Sequence, residues 1–201
     1  GGALGSNTFH EIAERYDPVT NQWETLPPMS VARYGVATSV LNGKLYAIGG
    51  RGLSSVETYN PETSQWSTGP QLPSIVESAA AITVNGKILL IGGNDPIAQQ
   101  AFNQVLELDP STNQWTQKAN MPTARYGMGL VFHENKVWAI GGDDHSASRS
   151  KKVEIYDPLN DSWTVGPSLS VERHWPLLWI SNGRIFAAGG YQVVMPDYLG
   201  M

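Results

Sequence analysis

The sequence predicts an all-β fold, a β-propeller built of short four-stranded antiparallel blades, and three observations predict it. An apolar run closing on two glycines recurs as Leu41–Gly50 (LNGKLYAIGG), Val84–Gly93 (VNGKILLIGG), His133–Gly142 (HENKVWAIGG) and Ser181–Gly190 (SNGRIFAAGG). Counting Gly1-Gly2, the first glycines stand at 1, 49, 92, 141 and 189, giving periods of 48, 43, 49 and 48 residues, the range of repeat architectures. No segment sustains a helical period, and Asn-Gly pairs separate β-prone runs, a strong hairpin signal.

Each unit reads as four strands. Gly35–Leu41 and Lys44–Ile48 form the first two, joined at Asn42-Gly43, where both turn positions need positive φ. Asn85-Gly86 and Asn182-Gly183 repeat this turn, and Glu134-Asn135 is a weaker substitute. After the double glycine comes a loop of variable length, then a third run such as Val56–Tyr59. A Pro-containing turn follows, where the missing N–H costs nothing, and then a fourth strand carrying Trp66. The same scheme leads from Tyr16 to Trp23, Leu108 to Trp115 and Tyr156 to Trp163, always seven residues apart. From each Trp to the next double glycine the distance is 26, whereas from the glycines to the Trp it is 22, 17, 23 and 22. One half of the unit is rigidly spaced and the other holds the variable loop.

Composition agrees. Of 201 residues 41% are apolar and only 15% charged, with 21 Gly and 13 Pro, a mix suited to many strands and turns. The absence of cysteine excludes disulfides, zinc-cysteine sites and cysteine nucleophiles. A net charge of −5 argues against nucleic acid as a partner. No apolar run approaches the roughly 18 residues of a membrane span. The chain opens on Gly1 without an initiator Met, which reads as a processed, trimmed or partial sequence.

Double glycine, a glutamate-containing strand ending in Tyr-Asp/Asn-Pro, then Trp at this period resembles the kelch repeat. The resemblance covers 1–190, with 191–201 (YQVVMPDYLGM) an irregular tail. The strands divide into two outer strands (residues 3–27), three whole blades, and two inner strands (172–190). An arc of a larger ring is the first expectation. The second is closure by a composite terminal blade, within one chain or with another copy, so self-association is a partner to consider.

The double glycines, Tyr and Trp read as structural: glycine permits close backbone approach, and the aromatics fill the space between blades with a polar edge to satisfy. Glu57 and Glu154, two residues before the Tyr, are expected to bond nearby backbone or an arginine. The loops from strand four to strand one and from strand two to strand three emerge on one face, where grafted sites are expected. There the inner strands start at Arg33-Tyr34-Gly35, Val76-Glu77-Ser78, Arg125-Tyr126-Gly127 and Arg173-His174-Trp175. In substrate-binding kelch proteins, arginines at this position line the channel mouth and bind acidic peptides; Arg33, Arg125 and Arg173 match it. Val76 does not, and Glu77 brings the opposite charge. Two readings of these arginines stand: a carboxylate-binding fork, or pairing with a carboxylate of the same blade. His174 and Trp175 likewise read as a stacking platform or as a plug.

The expected contact surface is Arg33, Tyr34, Glu77, Arg125, Tyr126, Arg173, His174 and Trp175, serving a protein or acidic peptide. Asp143, Asp144 and His145 have metal-donor chemistry, but three adjacent residues rarely converge on one ion. No G-x-S-x-G, phosphate-binding glycine loop or H-E-x-x-H is present, and no cofactor is expected. The competing class is a carbohydrate-active kelch enzyme, an epimerase of sialic acid or a mutarotase.

Overall fold

The computed structural model describes residues 3–4, 8–145 and 149–191. All regular structure there is β, in three four-stranded antiparallel sheets and four two-stranded ones. The first blade comprises Ala37–Leu41, Lys44–Ile48, Val56–Asn60 and Gln65–Thr68. The second comprises Ala80–Val84, Lys87–Ile91, Val105–Asp109 and Gln114–Gln117. The third comprises Gly129–His133, Lys136–Ile140, Val153–Asp157 and Ser162–Val165. In each, strands pair in sequence order.

The turns form as their chemistry requires. Asn42, Asn85 and Asn182 have φ near 50°, and Gly43, Gly86 and Gly183 near 70°. Glu134 (50°) and Asn135 (60°) adopt the same left-handed pair without a glycine, so the substitute turn holds.

Two apolar clusters lie between neighbouring blades, and strand alternation sorts residues between them. The second blade gives Ile88, Leu90, Leu106 and Leu108 to one cluster, shared with Leu41, Tyr46 and Ile48. It gives Leu89, Ile91 and Val105 to the other, shared with Val137, Ala139 and Tyr156. Each of these buried large side chains stabilises by about 1.5–3 kcal/mol. The Trp of each blade then staples it to its predecessor: the indole N–H groups of Trp66, Trp115 and Trp163 donate to the carbonyls of Pro27, Pro70 and Ala119 at 2.8, 2.8 and 2.9 Å.

The terminal strands flank this arc. Glu14–Asp17 pairs with Gln22–Thr25, and Leu177–Ser181 with Arg184–Ala188. These are separate sheets, not hydrogen-bonded to one another. Two features escape the simple repeat. Ala3–Leu4 pairs with Thr8–Phe9, and the long loop after Gly93 holds a second short hairpin, Asn94–Asp95 with Gln100–Ala101. Pro176 precedes the strand Leu177–Ser181 and does not interrupt it. The double glycine Gly1-Gly2, residues 146–148 of the loop over 143–152, and the tail beyond Tyr191 lie outside the described residues.

Candidate functional site: the channel mouth

The start of each inner strand is tied to its neighbours by backbone. The Ser78 amide donates to Gly35 O (2.8 Å), Gly127 to Ser78 O (2.8 Å) and Trp175 to Gly127 O (2.7 Å). All four residues have φ between 54° and 61°, an uncommon conformation for serine and costly for tryptophan. The ladder lays these four residues side by side around the mouth.

Burial removes the arginines from that mouth. Arg33 and Arg125 are fully buried, which corrects the expectation that they form part of a contact surface. Arg33 donates to Gly49 O (2.6 Å), Ser55 O (2.9 Å) and Glu57 Oε1 (3.0 Å). Arg125 donates to Gly141 O, to Lys152 O (3.1 Å) and to Glu154 Oε2 (2.8 Å). Each guanidinium thus ties the end of the second strand to the third. Burial alone would raise the Glu57 carboxyl, but the Ser30 amide and Arg33 hold it below the ordinary carboxylate range. The second blade dispenses with the pair: Val76 replaces the arginine and Leu106 the glutamate, both buried in one apolar cluster. Arg173 is partly exposed, and its guanidinium donates to Gly189 O.

What remains at the mouth is aromatic. Trp175 is 50% exposed and stacks on the His174 ring with centroids 4.0 Å apart. Tyr126 meets the edge of His174 at 5.0 Å and the ring of His145 at 4.6 Å. Tyr34 stacks on Phe9 at 5.8 Å. Tyr34, Met128 and Trp175, with Ala79 and Ala81 among the floor residues, line a groove of about 480 Å³. Beside it, Asp143 is fully buried and accepts from the Tyr126 hydroxyl (3.1 Å), the His145 amide (2.8 Å) and Arg149. Its lone pairs are occupied by the protein. Among the described residues no group of three or more His, Asp or Glu side chains is placed to hold a metal ion.

Two buried titratable groups carry polar atoms without a hydrogen bond among the described residues. Neither ring nitrogen of His174, nor Glu77 Oε2, has a hydrogen bond among the described residues. Burial, with Arg149 and His145 nearby, lowers the His174 imidazole to about 4. Burial raises the Glu77 carboxyl above its ordinary value, against the opposing charge of Arg51. Sequence reading missed Asn94, buried opposite Glu77 in a backbone bridge, and the Asp143–Arg149 pair. The repeat register held a signal: after the double glycines at 92, 141 and 189, the next residue bridges the residue after the arginine position (Asn94↔Glu77, Asp143↔Tyr126, Tyr191↔His174).

Among the described residues no helix is long and apolar enough to cross a membrane. A family model described as the KLHDC2/KLHL20/DRC7 Kelch-repeats domain matches residues 1–190. Kelch-like protein 15 of Danio rerio is 47% identical over 49 residues, 24% of this chain and 8% of that protein. Kelch-like protein 5 of Homo sapiens is 40% identical over 45 residues, 22% of this chain and 6% of that protein. These matches span 6–8% of the relatives' lengths. The solved structure titled "Structure of YjhT" superposes with a TM-score of 0.77 at 20% identity, covering 90% of this chain and 72% of its own, a likeness of fold. With the family model spanning nearly the whole chain, the protein belongs to the kelch-repeat family.

Proposed function

We propose that this chain is a protein- or peptide-binding scaffold whose contact surface is the channel-mouth face. The observation that carries the reading is Trp175, a large ring held half-exposed on a left-handed backbone and backed by His174. Exposed aromatics beside a preformed groove are the anchors that dominate peptide recognition. The contact residues are Tyr34, Tyr126 and Trp175, with buried His174 backing the Trp175 ring, and they suit an apolar or aromatic side chain of the partner. Burial of Arg33 and Arg125 takes away the ground for a preference for acidic motifs. The test is to pan a random peptide library on the chain and measure the selected peptides against Trp175→Ala and Tyr34→Ala. A loss of tenfold or more in affinity is expected; selected peptides that bind both variants undiminished overturn the reading.

A second reading rests on Glu77 and His174. A buried carboxyl held towards its protonated form and an imidazole held neutral are a candidate acid and base, and this favours a sugar isomerase. Anomer or epimer exchange followed by NMR with sialic acid and common aldoses tests it. Exchange abolished by Glu77→Gln and His174→Gln supports the enzyme, and no exchange removes it.

A further inference from the structure

The bridge behind the mouth is chemically complete in the third blade and incomplete in the second. In the second blade Glu77 and Asn94 exchange both backbone hydrogen bonds, at 3.0 and 2.9 Å. Residues opposed in this way send their side chains off the same face, with Cβ atoms about 5 Å apart. Glu77 is 7% exposed and Asn94 5%. Glu77 Oε2 and Asn94 Oδ1 are both buried and accept no hydrogen bond among the described residues. Two neighbouring acceptors without a donor cost free energy until a donor reaches them.

The third blade shows what such a position holds when it is filled. Tyr126 and Asp143 exchange the equivalent pair of bonds, both at 2.9 Å, and the Tyr126 hydroxyl donates to Asp143 Oδ2 at 3.1 Å. Onto this pair the chain folds its own guanidinium. Arg149, in the loop that follows Asp143, ion-pairs with the carboxylate and lies over the Tyr191 ring at 5.6 Å. The equivalent loop of the second blade, Asn94 to Gln104 (NDPIAQQAFNQ), contains no lysine or arginine. Burial raises the Glu77 carboxyl, and the charge of Arg51 on the preceding blade only partly offsets this, leaving Oε2 unbonded. The niche borders the aromatic groove. A Cβ on Gly35 would come within 2.7 Å of Glu77 Cγ and 3.3 Å of Oε1, and Gly35 and Ser78 both line the groove. Glycine at position 35 keeps that approach clear of a side chain.

We infer that the niche between Glu77 and Asn94 receives a guanidinium from outside the chain, the side chain of an arginine in a peptide laid along the mouth. The inference rests on the reading of this face as a peptide-binding surface. A guanidinium carries donors only, in a planar fork that meets two oxygens at once, and it is the group that the third blade supplies to itself. A carboxylate would meet two acceptors and be repelled. An ammonium would bring the charge without the fork. The partner therefore pairs a basic residue with the apolar or aromatic one received beside Trp175. The mouth selects for positive charge, the opposite of the preference expected from exposed arginines.

Two measurements test this. Peptides selected on the chain from a random library are expected to be enriched in arginine. Replacing that arginine by citrulline, which keeps the shape and removes the charge, should weaken binding to the native chain about tenfold or more. Against Glu77→Gln the same replacement should cost no more than about twofold. Selected peptides without arginine, or an equal loss on both proteins, overturn the inference and leave the peptide-binding reading standing. A library that yields no peptide overturns both. The second measurement needs no selected peptide and no variant that must fold: N-acetyl-arginine methylamide is titrated into the isotope-labelled native chain and followed by amide NMR. The Glu77 and Asn94 amides should shift saturably, and the citrulline analogue should leave them in place. Asn94→Asp, which gives the niche the carboxylate that Asp143 provides in the third blade, should tighten the binding several-fold. Shifts that are absent, that do not saturate or that are equal for the two analogues mean that the niche holds water only, and overturn the inference.

Discussion

The buried Arg–Glu pair is solved twice with charge and once without it, which makes the chain its own control. Arg33 and Glu57 pair in the first blade and Arg125 and Glu154 in the third, while Val76 and Leu106 fill the same positions in the second. Removing one member strands a buried charge, at about 3–5 kcal/mol, whereas replacing both with apolar groups can be neutral. Arg33→Val is therefore expected to destabilise the chain by about 3 kcal/mol. Arg33→Val with Glu57→Leu should cost about 1–2 kcal/mol less than Arg33→Val alone, read from urea midpoints. An additive double change would show that the pair is not coupled. The arginines were legible in the sequence as a repeat position but not as a direction, because a period cannot say whether a side chain turns to solvent or to its own blade. Their co-occurrence with the glutamates was the available clue. The mouth makes its own residue-scale prediction. The folded chain refuses a proton at His174 until about pH 4, while an ordinary imidazole accepts one near 6.5, so stability is fully present above 6.5 and falls as pH drops towards 4. For Glu77, raised in the fold, the sign is opposite: its contribution is present below the ordinary value of 4.5 and is lost as pH rises through the folded value. His174→Gln should flatten the decline in stability between pH 6.5 and 4, and Glu77→Gln should steepen it. Urea midpoints at several pH values check both.

At the scale of the element, one backbone conformation serves two purposes, and substitution separates them. Gly43 turns a hairpin at φ 73° with nothing within 4 Å of a Cβ placed there. Gly127 holds the mouth ladder at φ 59°, and its Cβ would run into the His174 ring and approach Trp175 Nε1 at 2.8 Å. Gly43→Ala pays only for the left-handed conformation, about 1–2 kcal/mol. Gly127→Ala pays that and must also move two aromatic rings, so at least twice the loss is expected. Equal losses in the two variants, read from thermal or urea unfolding, would show that the mouth has room the structure does not reveal. The hairpins were readable because Asn-Gly encodes its own geometry locally. The mouth ladder was not, since Ser78 and Trp175 adopt the glycine conformation under constraint from neighbouring blades, and nothing in either residue's local sequence announces it. The repeat alignment still placed Trp175 opposite Gly35 and Gly127, so the position was legible and its strain was not.

At the scale of the whole molecule, the repeat period specifies blades and their order, but not the angle between successive blades. The number of units was therefore legible, and the contacts that join one blade to the next were not. A linear array with nearest-neighbour interfaces has a graded stability. The second blade is covered on both sides, and its Ile88, Leu89, Ile91, Val105 and Leu108 are all essentially inaccessible. The terminal half blades have one covered side each, with Trp23, Leu177, Trp179 and Phe186 exposed. Amide exchange should report this gradient. At low protein concentration, strands Glu14–Asp17 and Arg184–Ala188 should exchange fastest and strand Lys87–Ile91 slowest. Protection uniform from end to end would mean that the terminal strands are covered as fully as the second blade.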